Sequence, residues 1–245
     1  TSPNQDSRVQ YLVLHYTQID DASSLLELTR PASQVSAHYL LSRDEKGGKP
    51  TLYALVPESQ RAWHAGRSHW QGAQALNAAS IGIEIVNLGY DTADSQLPLN
   101  QRRWQPYTEG QLRALAELLK ELSARYHIKP SRILGHSDIA PGRKVDPGPH
   151  FPWQRLYAEY GLGIWPDEAR VQALMSQQNP PQLTIADIQQ MLVRFGYKLD
   201  VTGELDDATR TVITAFQLHF RPRLCDGHPD AETLARLQSL LEIAN

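Results

Sequence analysis

A single cysteine, Cys225, stands among 245 residues, so no intramolecular disulfide can form and the fold must rest on its core. A lone cysteine suits cytoplasm and periplasm equally. No apolar run approaches the ~20 residues of a membrane-spanning helix, so no transmembrane span is expected. Neither sign of charge dominates: 24 Lys and Arg against 27 Asp and Glu leave a formal net charge of −3. With no basic cluster and no interleaved aromatic stripe, nucleic acid is not expected as a partner. The chain opens TSPNQDS, with neither an initiator methionine nor a signal peptide, and is read as trimmed at its start.

What is there is a core-forming composition, 41% hydrophobic and 21% charged, in a length that suits one or two domains. Apolar runs predict strands over Val9–Leu14, Ala37–Leu41, Thr51–Val56, Ile81–Val86 and Arg132–Leu134. The turn-rich Arg43–Pro50 joins the second and third as a hairpin. Thr108 and Gln111 form a capping signal, and Leu112, Leu115, Leu119, Leu122 and Tyr126 then recur at helical spacing, so a helix is predicted over Thr108–His127. A shorter one is expected over Ala22–Leu28. The result is an α/β domain, a central mixed β-sheet flanked by helices, over residues 1–165. A linker is expected over 166–181, with a break at Asn179-Pro180-Pro181. Residues 182–245 then read as a small three-helix domain. Its helices begin at the Thr184/Asp187 capping box, span Asp206–Phe220 and span Asp230–Leu241.

Three residues look like one zinc site. His15 ends the first apolar run, His136 ends the run Ile133–Gly135, and Asp146 follows in a Gly/Pro-rich loop. Two imidazoles and a carboxylate leave a fourth position open, as catalytic zinc requires. Lys144 lies two residues before Asp146, on the same face if that stretch is extended. Glu84 sits inside the run IGIEIV, where an unpaired buried carboxylate is costly and so needs a partner or a task, such as that of general base.

The segments YLVLHYT, VSAHYLLSRD, AWHAGRSHWQG, NAASIGIEIVN and ILGHSDIAPGRKVDPG together resemble the zinc N-acetylmuramoyl-L-alanine amidases of the amidase-2, or peptidoglycan-recognition-protein, superfamily, over roughly residues 8–160. Residues FGYKLDVTGELDDATRTVITAFQ resemble a peptidoglycan-binding domain. That extra domain places the chain nearest the outer-membrane lipoprotein amidases of Gram-negative bacteria. The resemblance implies hydrolysis of the amide between N-acetylmuramic acid and L-alanine, with Zn2+ on His15, His136 and Asp146, Glu84 as base and Lys144 as oxyanion stabiliser. Some members of the superfamily use a tyrosine before the histidine of the second strand. Here Ala37 stands there, and the role falls to Glu84 as in another branch. The third ligand is aspartate where phage and animal members have cysteine. Substrate contacts are expected from His64, whose counterpart lines the groove, from Trp70 (or Trp63) as a flat face for a sugar, from Asn77, and from Arg67 through a carboxylate. The loop GAQALNAAS lacks the arginines of the branch strict for anhydro-muramyl peptides, so both ordinary and anhydro substrates are expected. The resemblance also implies peptidoglycan and muropeptides as partners, a periplasmic location, a lipid anchor upstream of Thr1 and a monomer. A non-catalytic peptidoglycan receptor and a zinc peptidase cutting within the stem peptide remain as alternatives.

Overall fold

The computed structural model describes residues 7–178 and 182–243. The start at Thr1 and the break at Asn179-Pro180-Pro181 lie outside them. In chain order the elements are β1 (Tyr11–Tyr16), α1 (Asp21–Thr29), β2 (Tyr39–Lys46), β3 (Lys49–Ala54), β4 (His69–Trp70), β5 (Ala73–Gln74), β6 (Ser80–Ile85), α2 (Glu109–Tyr126), β7 (Ile133–Gly135), α3 (His136–Ile139), α4 (Trp153–Tyr160), α5 (Glu168–Met175), α6 (Ile185–Phe195), α7 (Asp207–Phe220) and α8 (Ala231–Ile243).

The main sheet has the order β3-β2-β6-β1-β7. β1, β6, β7 and β2 run parallel, and β3 closes one edge antiparallel to β2. Parallel strands are covered on both faces, so they read as continuous apolar runs. Tyr11, Leu12, Val13 and Leu14 are accordingly all buried, as are Ile81, Ile83 and Ile85. α2 covers the sheet with Leu112, Leu115, Leu119 and Leu122. It starts at the expected capping box: Gln111 N–H donates to Thr108 Oγ1 at 3.0 Å, and Thr108 N–H donates to Gln111 Oε1 at 3.1 Å.

The three expected C-terminal helices form as α6, α7 and α8. Inside the stretch expected as a linker, α5 forms behind an Asp167 cap and packs Val171 and Leu174 against Ala235 of α8. The helical unit is docked on the sheet unit, and one apolar cluster runs from Leu12 through Trp70 to Phe216 and Leu240. Among the described residues no helix is long and apolar enough to cross a membrane.

Candidate metal centre

Parallel register builds the site. His15 of β1 pairs with Glu84 of β6, and Leu14 pairs with Gly135, the residue before His136. Paired residues on adjacent strands share a face, so ligand and carboxylate emerge side by side at the carboxyl ends of the central strands, the usual place for a site in such a sheet. At Gly135 the chain turns straight into α3, capped by Asp138, whose Oδ2 accepts the Gly135 N–H at 2.7 Å. The Asp146 loop is pinned from two sides. Its backbone carbonyl accepts the Ser137 N–H at 2.9 Å, and the Pro147 carbonyl accepts the Tyr107 hydroxyl at 2.8 Å. Lys144 is exposed on the wall of the cavity that holds Glu84, His15, His136 and Asp146.

Three electron-rich atoms meet there. His15 Nδ1 lies 2.9 Å from His136 Nδ1 and 3.1 Å from Asp146 Oδ2, and His136 Nδ1 lies 2.9 Å from the same oxygen. All three side chains are buried. Two nitrogens and a carboxylate oxygen facing one another need a cation or a proton between them, and this borderline-soft donor set fits zinc. Burial and the neighbouring His136 lower the His15 pKa to about 4, so its ring is neutral near pH 7. Burial opposes ionisation of Asp146, yet the two imidazoles hold its pKa well below the usual carboxylate range. Glu84 stands in contrast. Burial first, and the Asp146 charge second, raise its pKa to about 8, with Lys144 pulling the other way. Its Oε2 is buried without a hydrogen-bond partner. A carboxylate poised near neutrality in a cavity of about 450 Å³ is what general acid–base chemistry uses.

The expected substrate contacts fare unevenly. His64 is 8% exposed and engaged at both ring nitrogens, with His15 Nε2 at 3.0 Å and the Ser80 hydroxyl at 3.1 Å. Burial, then the neighbouring His15, holds its pKa well below the ordinary value. Asn77 is turned into the protein, its Oδ1 accepting the His64 and Ala65 N–H groups at 3.0 and 2.7 Å. Trp70 is 1% exposed, with its ring held edge-on by Phe195 and Tyr197. No face of it is left for a sugar, because the helical domain covers it. Trp63, in contrast, is 52% exposed on the cavity wall. Arg67 lies in a different cleft of about 980 Å³, between the sheet unit and α7, with Arg143 on the wall common to both cavities.

Arg143 was not singled out in the sequence. Its Nη2 donates to the Ala65 and Arg67 carbonyls at 2.7 and 2.9 Å and so braces the loop over the ligands. Its place in GRKVDPG, beside Lys144, was the available signal. Arg102, stacked 4.4 Å over the Tyr90 ring at the rim, had none.

A family model described as N-acetylmuramoyl-L-alanine amidase matches residues 5–149, and one for a peptidoglycan binding domain matches residues 182–237. The chain is 46% identical over 240 residues to the N-acetylmuramoyl-L-alanine amidase AmiD of Escherichia coli (strain K12), covering 96% of this chain and 83% of that one. The structure is similar to a complex of the Escherichia coli AmiD with anhydro-N-acetylmuramic acid-L-Ala-D-gamma-Glu-L-Lys, with TM-score 0.87 and 43% identity over 99% of this chain and 92% of that one. It is also similar to AmpDh3 from Pseudomonas aeruginosa, with TM-score 0.86 and 39% identity over 99% of this chain and 95% of the other.

Proposed function

The chain belongs to the N-acetylmuramoyl-L-alanine amidase family, and we propose that it hydrolyses the amide between N-acetylmuramic acid, ordinary or anhydro, and the L-alanine of the stem peptide, with one zinc ion on His15, His136 and Asp146. The observation that carries this is the convergence of those three ligand atoms beside an unpaired, protonation-poised Glu84. Zinc, when bound, supplies Lewis acidity that polarises a carbonyl and acidifies water.

The remaining work falls to the chain itself. Glu84 accepts a proton from the attacking water and returns it to the departing L-alanine nitrogen. Near the positive ion its carboxyl is drawn back towards the ionised form, which the first step needs. Lys144, exposed on the cavity wall, stabilises the oxyanion of the tetrahedral intermediate. Trp63 offers an apolar face at the mouth, and Arg67 a guanidinium for a peptide carboxylate in the adjoining cleft. The unit over 182–245 is read as a peptidoglycan-binding domain, and the catalytic unit as ending near 165. The likeness to AmiD supports a periplasmic site of action, with an outer-membrane lipid anchor and a monomeric state as the finer parts of the reading.

Mass spectrometry of products from purified ordinary and anhydro muropeptides tests the proposal. Free stem peptide with a new L-alanine amino terminus, lost on chelation and restored by zinc, is expected. Intact muropeptides with zinc present would overturn it, and a shortened peptide still attached to sugar would mean a peptidase.

A further inference from the structure

The two candidate ligand histidines lean on adjacent residues, His15 on His64 and His136 on Ala65. His15 Nε2 lies 3.0 Å from His64 Nδ1, and His64 Nε2 lies 3.1 Å from Ser80 Oγ. Ser80 Oγ–H donates to the Leu76 carbonyl at 2.6 Å. His136 Nε2 lies 3.3 Å from the Ala65 carbonyl.

The proton positions follow from the far ends of these contacts. A carbonyl only accepts, so the Ser80 hydrogen is spent on Leu76, and Ser80 Oγ must accept from His64 Nε2–H. At the other end of the relay, an imidazole that offers Nδ1 to a metal carries its hydrogen on Nε2, so both ends agree on a bare His64 Nδ1. His64 Nδ1 therefore accepts from His15 Nε2–H, which leaves the lone pair of His15 Nδ1 facing His136 and Asp146. Arg143 Nη2 also lies 3.3 Å from His136 Nε2, but its two hydrogens are spent on the Ala65 and Arg67 carbonyls, so the Ala65 carbonyl takes the His136 Nε2–H and leaves that Nδ1 bare.

We propose that the His64–Ala65 pair, clamped by Asn77, is a positioning platform that sets the tautomer and ring orientation of both ligand histidines. It rests on the metal reading above. Its rigidity is built in. Asn77 Oδ1 holds both backbone N–H groups of the pair, and Arg143 fastens the Ala65 carbonyl from the other side. The ring of His64 lies over Gly82 so closely that a Cβ there would come within 2.3 Å of its Cγ. His38, whose Nδ1 accepts the Gly82 N–H at 3.0 Å, braces that strand from below. The partners of a ligand's second nitrogen are typically worth 10–100-fold in metal affinity, and here one dipeptide serves both ligands.

Two measurements test this. The first is the tautomer of His64, read by long-range proton–nitrogen NMR on the metal-free parent protein. A proton on Nε2 is expected, and a proton on Nδ1 reverses the relay and overturns the proposal. This reading needs neither zinc nor activity, so its failure is distinct from a failure of the amidase assignment. The second is zinc affinity by chelator competition, with the melting midpoint of each metal-free variant as a fold check. In H64N the amide oxygen replaces Nδ1 and still accepts from His15, whereas H64Q reaches only Ser80. H64Q and H64A are expected to bind zinc roughly 10–100-fold more weakly, with H64N within about threefold of the parent, as its retained acceptor implies. Equal losses in H64N and H64Q would make His64 a packing residue, and unchanged affinity in H64A and H64Q would also overturn the proposal.

Discussion

Glu84 joins a structural cost to a chemical use. Its carboxyl lies buried beside the ligands with one oxygen unpartnered. Replacing it by glutamine keeps the shape and removes the proton acceptor, so E84Q is expected to retain bound zinc while kcat falls about 10²–10⁴-fold, measured on muropeptide hydrolysis. The same residue gives a pH signature in the metal-free protein. Protonation of Glu84 removes the charge penalty, whereas the ionised form is opposed by burial and by Asp146. The penalty is thus absent below the free carboxyl value of 4.5, grows as pH rises and is complete above about 8. Denaturant titrations of metal-free E84Q and parent should coincide at acid pH and diverge across that window, with E84Q the more stable. A difference independent of pH would mean that Glu84 ionises as freely in the fold as outside it.

At the scale of elements, the register of β6 is what matters. Its residues alternate between faces, so Glu84 and Gly82 point the same way, one into the cavity and the other under His64. Gly82→Ala places a methyl group where the His64 ring lies. The strand cannot yield easily between β1 and β2, so a stability loss of roughly 1–3 kcal/mol is expected, with zinc affinity falling alongside, read by thermal melting and chelator competition. An unchanged variant would show that the ring is free to move. These elements also show what a sequence can convey. The continuous apolar runs and the Thr108 capping box were legible because burial and capping act within a few residues. His15, Glu84 and His136 could be picked out because polar side chains in or just after apolar strands are conspicuous, and Asp146 because it follows Lys144 in a Gly/Pro-rich loop of the resembling motif. The inward turn of Asn77, the burial of Trp70 and the engagement of His64 were not legible, since each depends on a partner that the chain supplies far away: Ser80 through the sheet, Tyr197 through a helical domain. The hairpin β4–β5 and helices α3, α4 and α5 were missed as well, being too short to display a period.

For the whole molecule, the seam between the sheet unit and the C-terminal helices decides the behaviour. Asp138, two residues beyond His136, is fully buried there. Its Oδ2 accepts from His219 Nδ1 at 2.8 Å and its Oδ1 from the Tyr197 hydroxyl at 3.0 Å. His219 is stacked on Trp153 at 3.8 Å between ring centroids. Because the apolar cluster is continuous across this seam, calorimetry should show one cooperative unfolding transition rather than two. His219→Leu removes one hydrogen bond from the buried Asp138 carboxylate, with those from the Tyr197 hydroxyl and the Gly135 N–H remaining. A loss of about 1–3 kcal/mol is expected, measured by denaturant unfolding, and an unchanged midpoint would mean that water replaces the lost donor.

The seam also bears on how such a protein can be recombined. Two matches that lie apart on the chain, at 5–149 and 182–237, invite the picture of beads on a string, to be traded at will. Trp70 and Asp138 on one side and Phe195, Tyr197 and His219 on the other make that picture fail. A chimera that borrows a foreign helical bead must import matching partners for both residues, or it inherits a bare indole and an under-partnered buried carboxylate two residues from its own candidate metal ligand. The unit of exchange is the pair of domains together with their shared surface.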